Sequence, residues 1–209
     1  MAHALIDISV LVQPGTPEWP GDVPFSCGWT CRIADGAAIN LSSVAGSPHV
    51  GTHADAPLHV HDGWPASDAL PLEAFVGRAL VLDVSDAPDG ELLLDPDDSR
   101  LAGVERLLLR TGRCIADRAF PHGWPVLQHV TAALLVSRGL RLLGVDAPSV
   151  DARESKYLEV HHALFGAGAF VLENLDLRSV APGEYELLAL PQRLGGLDAA
   201  PVRAVLRTG

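Results

Sequence analysis

The stretch His49-Val50-Gly51-Thr52-His53-Ala54-Asp55-Ala56-Pro57-Leu58-His59 gathers three histidines and one carboxylate into eleven residues. Gly51 and Pro57 interrupt it, so a regular helix is disfavoured and a short strand breaking into a loop is expected. In an extended chain His53 and Asp55 project to the same side, while bends in the loop have to bring in His49 and His59. Imidazole nitrogens and carboxylate oxygens are the ligands that zinc and related divalent metals prefer. A carboxylate can also bridge two metals, which makes Asp55 the natural centre of a two-metal site. A single histidine is more readily a surface or packing residue. The density of four candidate ligands is what favours metal here, since the pattern is not one of the standard short zinc signatures.

Upstream of this stretch, Leu5, Ile6, Ile8, Val10 and Val12 predict a first strand over residues 4–12. Residues 13–24 carry too many prolines and glycines for regular structure. Trp19 stands in the middle of that loop, where it is either an aromatic anchor packing the loop down or a planar wall for an aromatic substrate. Residues 25–32 and 38–44 read as a strand pair, the second leading into the histidine motif. Cys27 and Cys31 fall on the first of these strands and read as small core residues on one face rather than as a metal or redox pair. His61, just past the motif, is expected to sit behind the ligands or to face solvent.

Downstream, residues 72–75 suggest a short helical turn. Residues 78–84, 104–110 and 140–145 are nearly continuous apolar runs, the mark of strands buried on both faces. Residues 86–98 are acidic but lack the Asp, Gly and Glu order of a calcium loop, so a solvated loop is expected. Residues 131–138 fit an amphipathic helix closed by Gly139. His122 and His129 have no ligand spacing and read as structural. Asp146 and Asp151 follow a buried strand, where carboxylates line a site or cap turns. Residues 157–165 read as a helix carrying His161 and His162, and residues 169–173 as a strand ending at Glu173. A helix-to-strand reversal can bring His161 and Glu173 to one place, although by spacing alone a histidine on an apolar helix face reads as core. Residues 184–190 and 201–206 close the chain as two more strands. Strands outnumber helices, so the expected class is α/β and β-rich, with residues 1–209 forming a single domain because no repeat or linker divides them.

The formal charge of -11 argues against non-specific nucleic-acid binding and against anionic membrane surfaces, both of which need clustered Lys and Arg. No apolar run is long enough to span a bilayer, and the N-terminus lacks the pattern of a signal peptide. Three cysteines, an odd count, do not make a disulfide framework. The expected compartment is the cytoplasm.

The pattern H-x-G-T-H-x-D-x-P-x-H resembles the signature of the metal-dependent cyclase family, and every fixed position is filled. The run Trp19-Pro20-Gly21-Asp22 resembles a loop of the kynurenine formamidase branch in which the tryptophan contacts substrate. His161-His162 followed by Glu173-Asn174, the G-x-D-x-x-S-x-D segment from Gly144 to Asp151, and the Y-E-L-L-A-L-P pattern beginning at Tyr185 are similar to segments of the same family. Val60 departs from it, standing where an aromatic residue is frequent and so altering one expected pocket wall. The resemblance implies a swivelling β/β/α-type domain, a homodimer, and two zinc ions per subunit, with Mn2+ among the alternatives. It implies that Asp55 bridges the metals, that His49 and His53 complete one, and that His161 and Glu173 complete the other. His59 is then left for proton transfer and Trp19 for substrate binding. The implied reaction is hydrolysis of N-formyl-L-kynurenine to L-kynurenine and formate, a step of tryptophan degradation, by metal-activated water. Two rivals remain open. One is a same-family hydrolase of another cyclic amide or arylformamide of the isatin type, differing in pocket walls such as Trp19. The other is a non-catalytic metal-binding protein, against which a spare His59 argues.

Overall fold

The apolar runs become the middle of one sheet. The computed structural model describes residues 4–209. In chain order the strands are β1 (Leu5–Asp7), β2 (Ser26–Cys31), β3 (Leu41–Ala45), β4 (His53–Asp55), β5 (Val76–Asp83), β6 (Gly90–Leu92), β7 (Arg106–Arg110), β8 (Pro125–Leu127), β9 (Leu142–Val145), β10 (Phe170–Glu173), β11 (Gly183–Leu188), β12 (Ala199–Pro201) and β13 (Val205–Arg207). Helix α1 (His129–Ser137) precedes β9, and helix α2 (Glu159–Phe165) precedes β10. The architecture is mixed α/β and strand-rich, as expected. A nine-stranded sheet has the order β1-β13-β11-β5-β7-β9-β10-β4-β12. Its centre, β5-β7-β9-β10, is parallel, and its flanks are antiparallel.

The period-2 alternation of a strand splits the apolar runs between two cores. On one face Leu108, Leu142 and Leu172 pack with Ile8, Phe75 and Leu206. On the other, Leu107, Leu109, Leu143 and Val171 pack with Ala132 and Leu135 of α1 and with Val160 and Leu164 of α2. Strands buried on both faces need no polar alternation, which is why these three were readable. The helical turn at Leu72–Ala74 is a 3-10 turn, and α1 closes at Gly139, whose φ is 109°.

Several expectations need correction. The first strand is only Leu5–Asp7, because β13, its partner, is itself three residues long and Ser9 already bridges to Leu175. The last strand, expected over residues 201–206, divides: β12 pairs with β4, while β13 pairs with β1 and β11. Strand β6 lies in the stretch read as a solvated loop and forms a small parallel pair with β8; three residues apiece leave no period to detect. Cys27 and Cys31 do lie on a strand, but Cys27 is exposed and Cys31 only partly buried. Strands β2 and β3 form a separate two-stranded ribbon in which all of β3 and all of β2 except Cys31 are exposed. Val60 packs into the helix-side core and does not line the cleft described below. Among the described residues no helix is long and apolar enough to cross a membrane.

Candidate metal centre and substrate cleft

Strand register assembles the site. Strand β4 lies between β10 and β12, with His53 opposite Glu173 and Asp55 opposite Ala199. A directly opposed antiparallel pair shares a face, and Asp55 shares the face of His53. Gly51 makes the approach to β4 possible. Its φ is 76°, and a Cβ there would sit 2.3 Å from a methyl carbon of Val12. Beyond β4, Pro57 opens a 3-10 turn that ends at His59. The remaining histidine comes from α2. Asp151 accepts hydrogen bonds from the backbone N–H groups of Val160 and His161 at 2.9 and 3.0 Å, fixing the start of that helix, and from His161 Nδ1 at 2.7 Å.

These contacts decide which imidazole nitrogens face inward. His53 Nδ1 donates to the carbonyl of Gly51 at 2.9 Å, His161 Nδ1 to Asp151, and His49 Nε2 to Asp198 at 2.9 Å. Each ring in its neutral form then presents one lone pair to the centre, the arrangement by which outer acceptors orient metal-binding histidines. His49 Nδ1 and His53 Nε2 lie 3.1 Å apart, and Asp55 Oδ1 lies 3.0 and 3.2 Å from them. On the other side, His161 Nε2 lies 3.1 Å from Asp55 Oδ2 and 3.4 Å from Glu173 Oε1. Glu173 Oε2 is 3.5 Å from His53 Nε2.

A divalent metal fits this set. Ligand atoms bound tetrahedrally at zinc's bond lengths stand roughly 3.3 Å from one another, and these atoms are spaced in that way. Asp55 Oδ1 is buried and accepts no hydrogen bond despite its two imidazole neighbours, so the protein alone leaves it orphaned. The electrostatics agree. Burial opposes charge on His49 and His53, but the Asp55 carboxylate overrides it and raises them to about 10 and about 9. Burial likewise opposes charge on His161, which hydrogen bonds to Asp151, Asp55 and Glu173 hold well above its ordinary value. Asp55, pushed up by burial, is pulled well below the usual carboxylate range by His49 and His53. The cluster therefore favours positive charge, which protons supply here and which a bound metal cation would supply in their place.

The family model called Cyclase matches residues 6–152. The chain belongs to the Cyclase family. It is 46% identical to the kynurenine formamidase of Salinibacter ruber, an alignment covering 98% of this chain and 97% of that one. It is 41% identical to the kynurenine formamidase of Bordetella avium, covering 97% of each. A solved structure from Bacillus stearothermophilus, described as a predicted metal-dependent hydrolase, superposes with a TM-score of 0.81 at 26% identity, covering 99% of both chains. Isatin hydrolase A from Ralstonia solanacearum, at 22% identity, shares the fold with a TM-score of 0.83 over 99% of this chain and 92% of that one.

In this Cyclase-family chain the cluster of candidate ligands adjoins a cleft of about 720 Å³. His49, His53, His59, His161 and Glu173, five of the six residues proposed from the sequence as ligands or catalyst, line it, and the sixth, Asp55, is wholly buried beneath them. Trp19 also lines it, and it anchors its loop as one of the two readings of the sequence expected. Its ring packs edge-on against Phe120 and Trp124, with centroids 5.5 and 6.1 Å away, and its remaining surface faces the cleft. His61 is exposed and stacks on Trp64, and His162 is exposed on the outer side of α2. Asp146 accepts from the backbone of Thr111 and Gly112, so it holds a turn and not the site.

Sequence reasoning missed two residues altogether. Asp198 touches both His49 and His59, and nothing near it in the sequence announces that. Lys156 is the chain's sole lysine and the only Lys or Arg lining the cleft. No ion pair occupies it among the described residues, whereas most arginines of the chain have a carboxylate partner. A count of lysines would have drawn attention to it.

Proposed function

We infer that this chain hydrolyses N-formyl-L-kynurenine to L-kynurenine and formate, a step in tryptophan breakdown, with residues 1–209 working as one hydrolase domain. The observation that carries this is end-to-end similarity to curated kynurenine formamidases at 41–46% identity. The cluster of His49, His53, Asp55, His161 and Glu173 supports it chemically. We assign two zinc ions to it: His49, His53 and Asp55 would hold one, and His161, Glu173 and the shared Asp55 would hold the other. Manganese suits the same donors less well than zinc by the usual order of affinities. When bound, such ions supply Lewis acidity, polarising a carbonyl and lowering the pKa of water towards about 7.

The chain's own groups do the rest. Trp19 and Phe120 provide flat apolar surface for the aryl ring. His59, partly exposed and free at Nε2, accepts a proton from the attacking water and delivers it to the aryl nitrogen as the C–N bond breaks. The water's oxygen leaves in formate and the nitrogen leaves as a neutral aniline. Lys156 faces the amino-acid end, where its ammonium meets the substrate's α-carboxylate. That cation favours a zwitterionic arylformamide over an uncharged ring amide of the isatin type.

The test is formate release. Purified protein is expected to release formate from N-formyl-L-kynurenine, to stop on chelation, and to recover with zinc; no release with zinc present refutes the assignment. Lys156→Met should raise KM for N-formyl-L-kynurenine roughly 3- to 10-fold, as expected for an ion pair at a partly exposed site worth about 1 kcal/mol. KM for N-formylaniline, which has no carboxylate, should not change. An equal rise for both substrates would remove Lys156 from carboxylate recognition.

We also propose a homodimer, joined through the β2–β3 ribbon. A two-stranded ribbon is marginal in water on its own, yet Trp29, Leu41 and Val44 on this one are 59%, 47% and 70% exposed. A second copy of the ribbon or of its flanking surface would cover them. Strand β3 runs directly into Gly46, Ser47 and Pro48 of the cleft wall, so the same contact would steady the loop bearing His49. Trp29→Asp combined with Val44→Asp should convert a dimer to a monomer in sedimentation; a dimer that survives both charges lies elsewhere. The three free thiols suit a reducing compartment, and we place the enzyme in the cytoplasm.

A further inference from the structure

The motif that supplies His59 does not orient it. Its 3-10 turn fixes the backbone, and among the described residues the ring is left with one polar partner, which comes from 139 residues further along. That partner is Asp198, the residue just before β12. Its position is set by main-chain bonding: Ala56 N–H donates to the Asp198 carbonyl at 2.8 Å, and the next residue, Ala199, stands opposite Asp55 in the ladder. The carboxylate is thereby delivered to the mouth of the cleft. Its Oδ2 lies 3.2 Å from His59 Nδ1 and 2.9 Å from His49 Nε2.

We propose that Asp198 is the positioning residue for proton transfer by His59, a role that rests on the hydrolase reading given above. An ionised carboxylate only accepts hydrogen bonds. It therefore selects the His59 tautomer that carries its hydrogen on Nδ1 and leaves Nε2 as the base facing the cleft. It also stabilises the imidazolium that forms when Nε2 takes a proton from water, before that proton passes to the departing nitrogen. A carboxylate behind a catalytic imidazole acts in this way in serine hydrolases, where a wrong tautomer is costly even when geometry survives. Here the same oxygen also holds His49, whose Nδ1 faces Asp55. One side chain thus aligns a metal-facing ring and the proton-carrying ring, whose centroids are 4.6 Å apart.

Asp198→Asn tests this, because asparagine keeps the shape but loses the charge that stabilises the imidazolium, and its neutral amide is a weaker acceptor that no longer commits the His59 ring to one tautomer. Zinc-loaded wild type, Asp198→Asn, His59→Ala and the double variant would be compared. Asp198→Asn should retain its zinc and its KM for N-formyl-L-kynurenine while kcat falls roughly 10- to 100-fold, the usual cost of losing such an outer partner. On the His59→Ala background the same change should alter kcat less than about twofold, since residues acting as a unit are not additive. In ¹⁵N spectra of histidine-labelled protein, the His59 ring should move from protonation at Nδ1 to a mixture of tautomers. Asp198→Glu, which keeps the charge, should restore part of kcat and guards against a fold defect in the asparagine variant. Unchanged kcat at full zinc occupancy overturns the proposal. So does recovery of kcat by excess zinc, which would mean that Asp198 serves His49 alone, and so do additive losses in the double variant. Failure of the hydrolase reading looks different: wild type would release no formate, whereas the tautomer shift could still be measured.

Discussion

Replacing Asp55 with asparagine is expected to strip the chain of its divalent metals and to take turnover below detection. Asp55 is fully buried, and each of its oxygens faces a different group of donors. Oδ1 faces His49 and His53, and Oδ2 faces His161. Asparagine fills the same volume, so strand β4 should pair with β10 and β12 as before. What changes is charge and donor sense. The amide is neutral, and its NH2 must displace one of the two oxygens, turning hydrogens toward a place where only lone pairs suit a cation. A bridging carboxylate serves both sites, so neither metal should survive. The effect is separable from misfolding by linkage. Zinc at 100 times its dissociation constant stabilises the wild type by about 2.7 kcal/mol, which for a domain of this size raises Tm by roughly 5–10 °C. The variant should fold, show no such rise, and contain no zinc after gel filtration. A variant with an intact zinc-dependent rise would show that Asp55 does not ligate.

How much of this was legible in the sequence depends on how local each contact is. His53 and Asp55 were readable as one surface because a strand repeats every second residue, and three central strands were readable because burial on both faces leaves an unbroken apolar run. The sheet order was not readable. Nothing in His53-Ala54-Asp55 states that it lies between β10 and β12, whose residues follow more than a hundred positions later, and pairing of that range is decided by closure of the whole sheet. His161 shows the boundary between the two cases. On its helix, beside buried Val160, Leu164 and Phe165, it has the pattern of a core residue, and by burial it is one. Only family resemblance joined it to Glu173, and the geometry agrees because Asp151 caps the helix and turns the ring in one stroke. Asp198 had neither periodicity nor motif to mark it. Its role comes from the antiparallel step that sets Ala199 against Asp55, a fact of topology. The cysteines of β2, one exposed and one partly buried, failed for the opposite reason. Alternation of small and apolar residues there is what a buried strand would have, but among the described residues the ribbon contributes nothing to the buried core clusters.

His59→Ala should leave the metals in place and lower kcat by roughly 10²–10⁴, the range for a general acid–base group. His59 stands apart from the other histidines in ways that bear on this. It is more exposed than His49, His53 or His161, and among the described residues its polar contact is to Asp198, outside the set of carboxylates that face the other three rings inside the site. A competing assignment exists, because nitrogens of His49 and His59 and an oxygen of Asp55 come close enough to surround a cation. Metal content decides between them: loss of zinc in the variant makes His59 a ligand. If zinc stays, the shape of the kinetic loss identifies the proton's destination. An aniline leaves poorly as an anion, so protonation of its nitrogen must accompany departure, and the need grows as the ring becomes richer in electrons. Across formanilides, electron-donating substituents should therefore deepen the loss and electron-withdrawing ones should shrink it, with KM little changed because the group acts in the transition state. A loss of the same size for every substituent would place His59 at the activation of water and leave another group to protonate the amine.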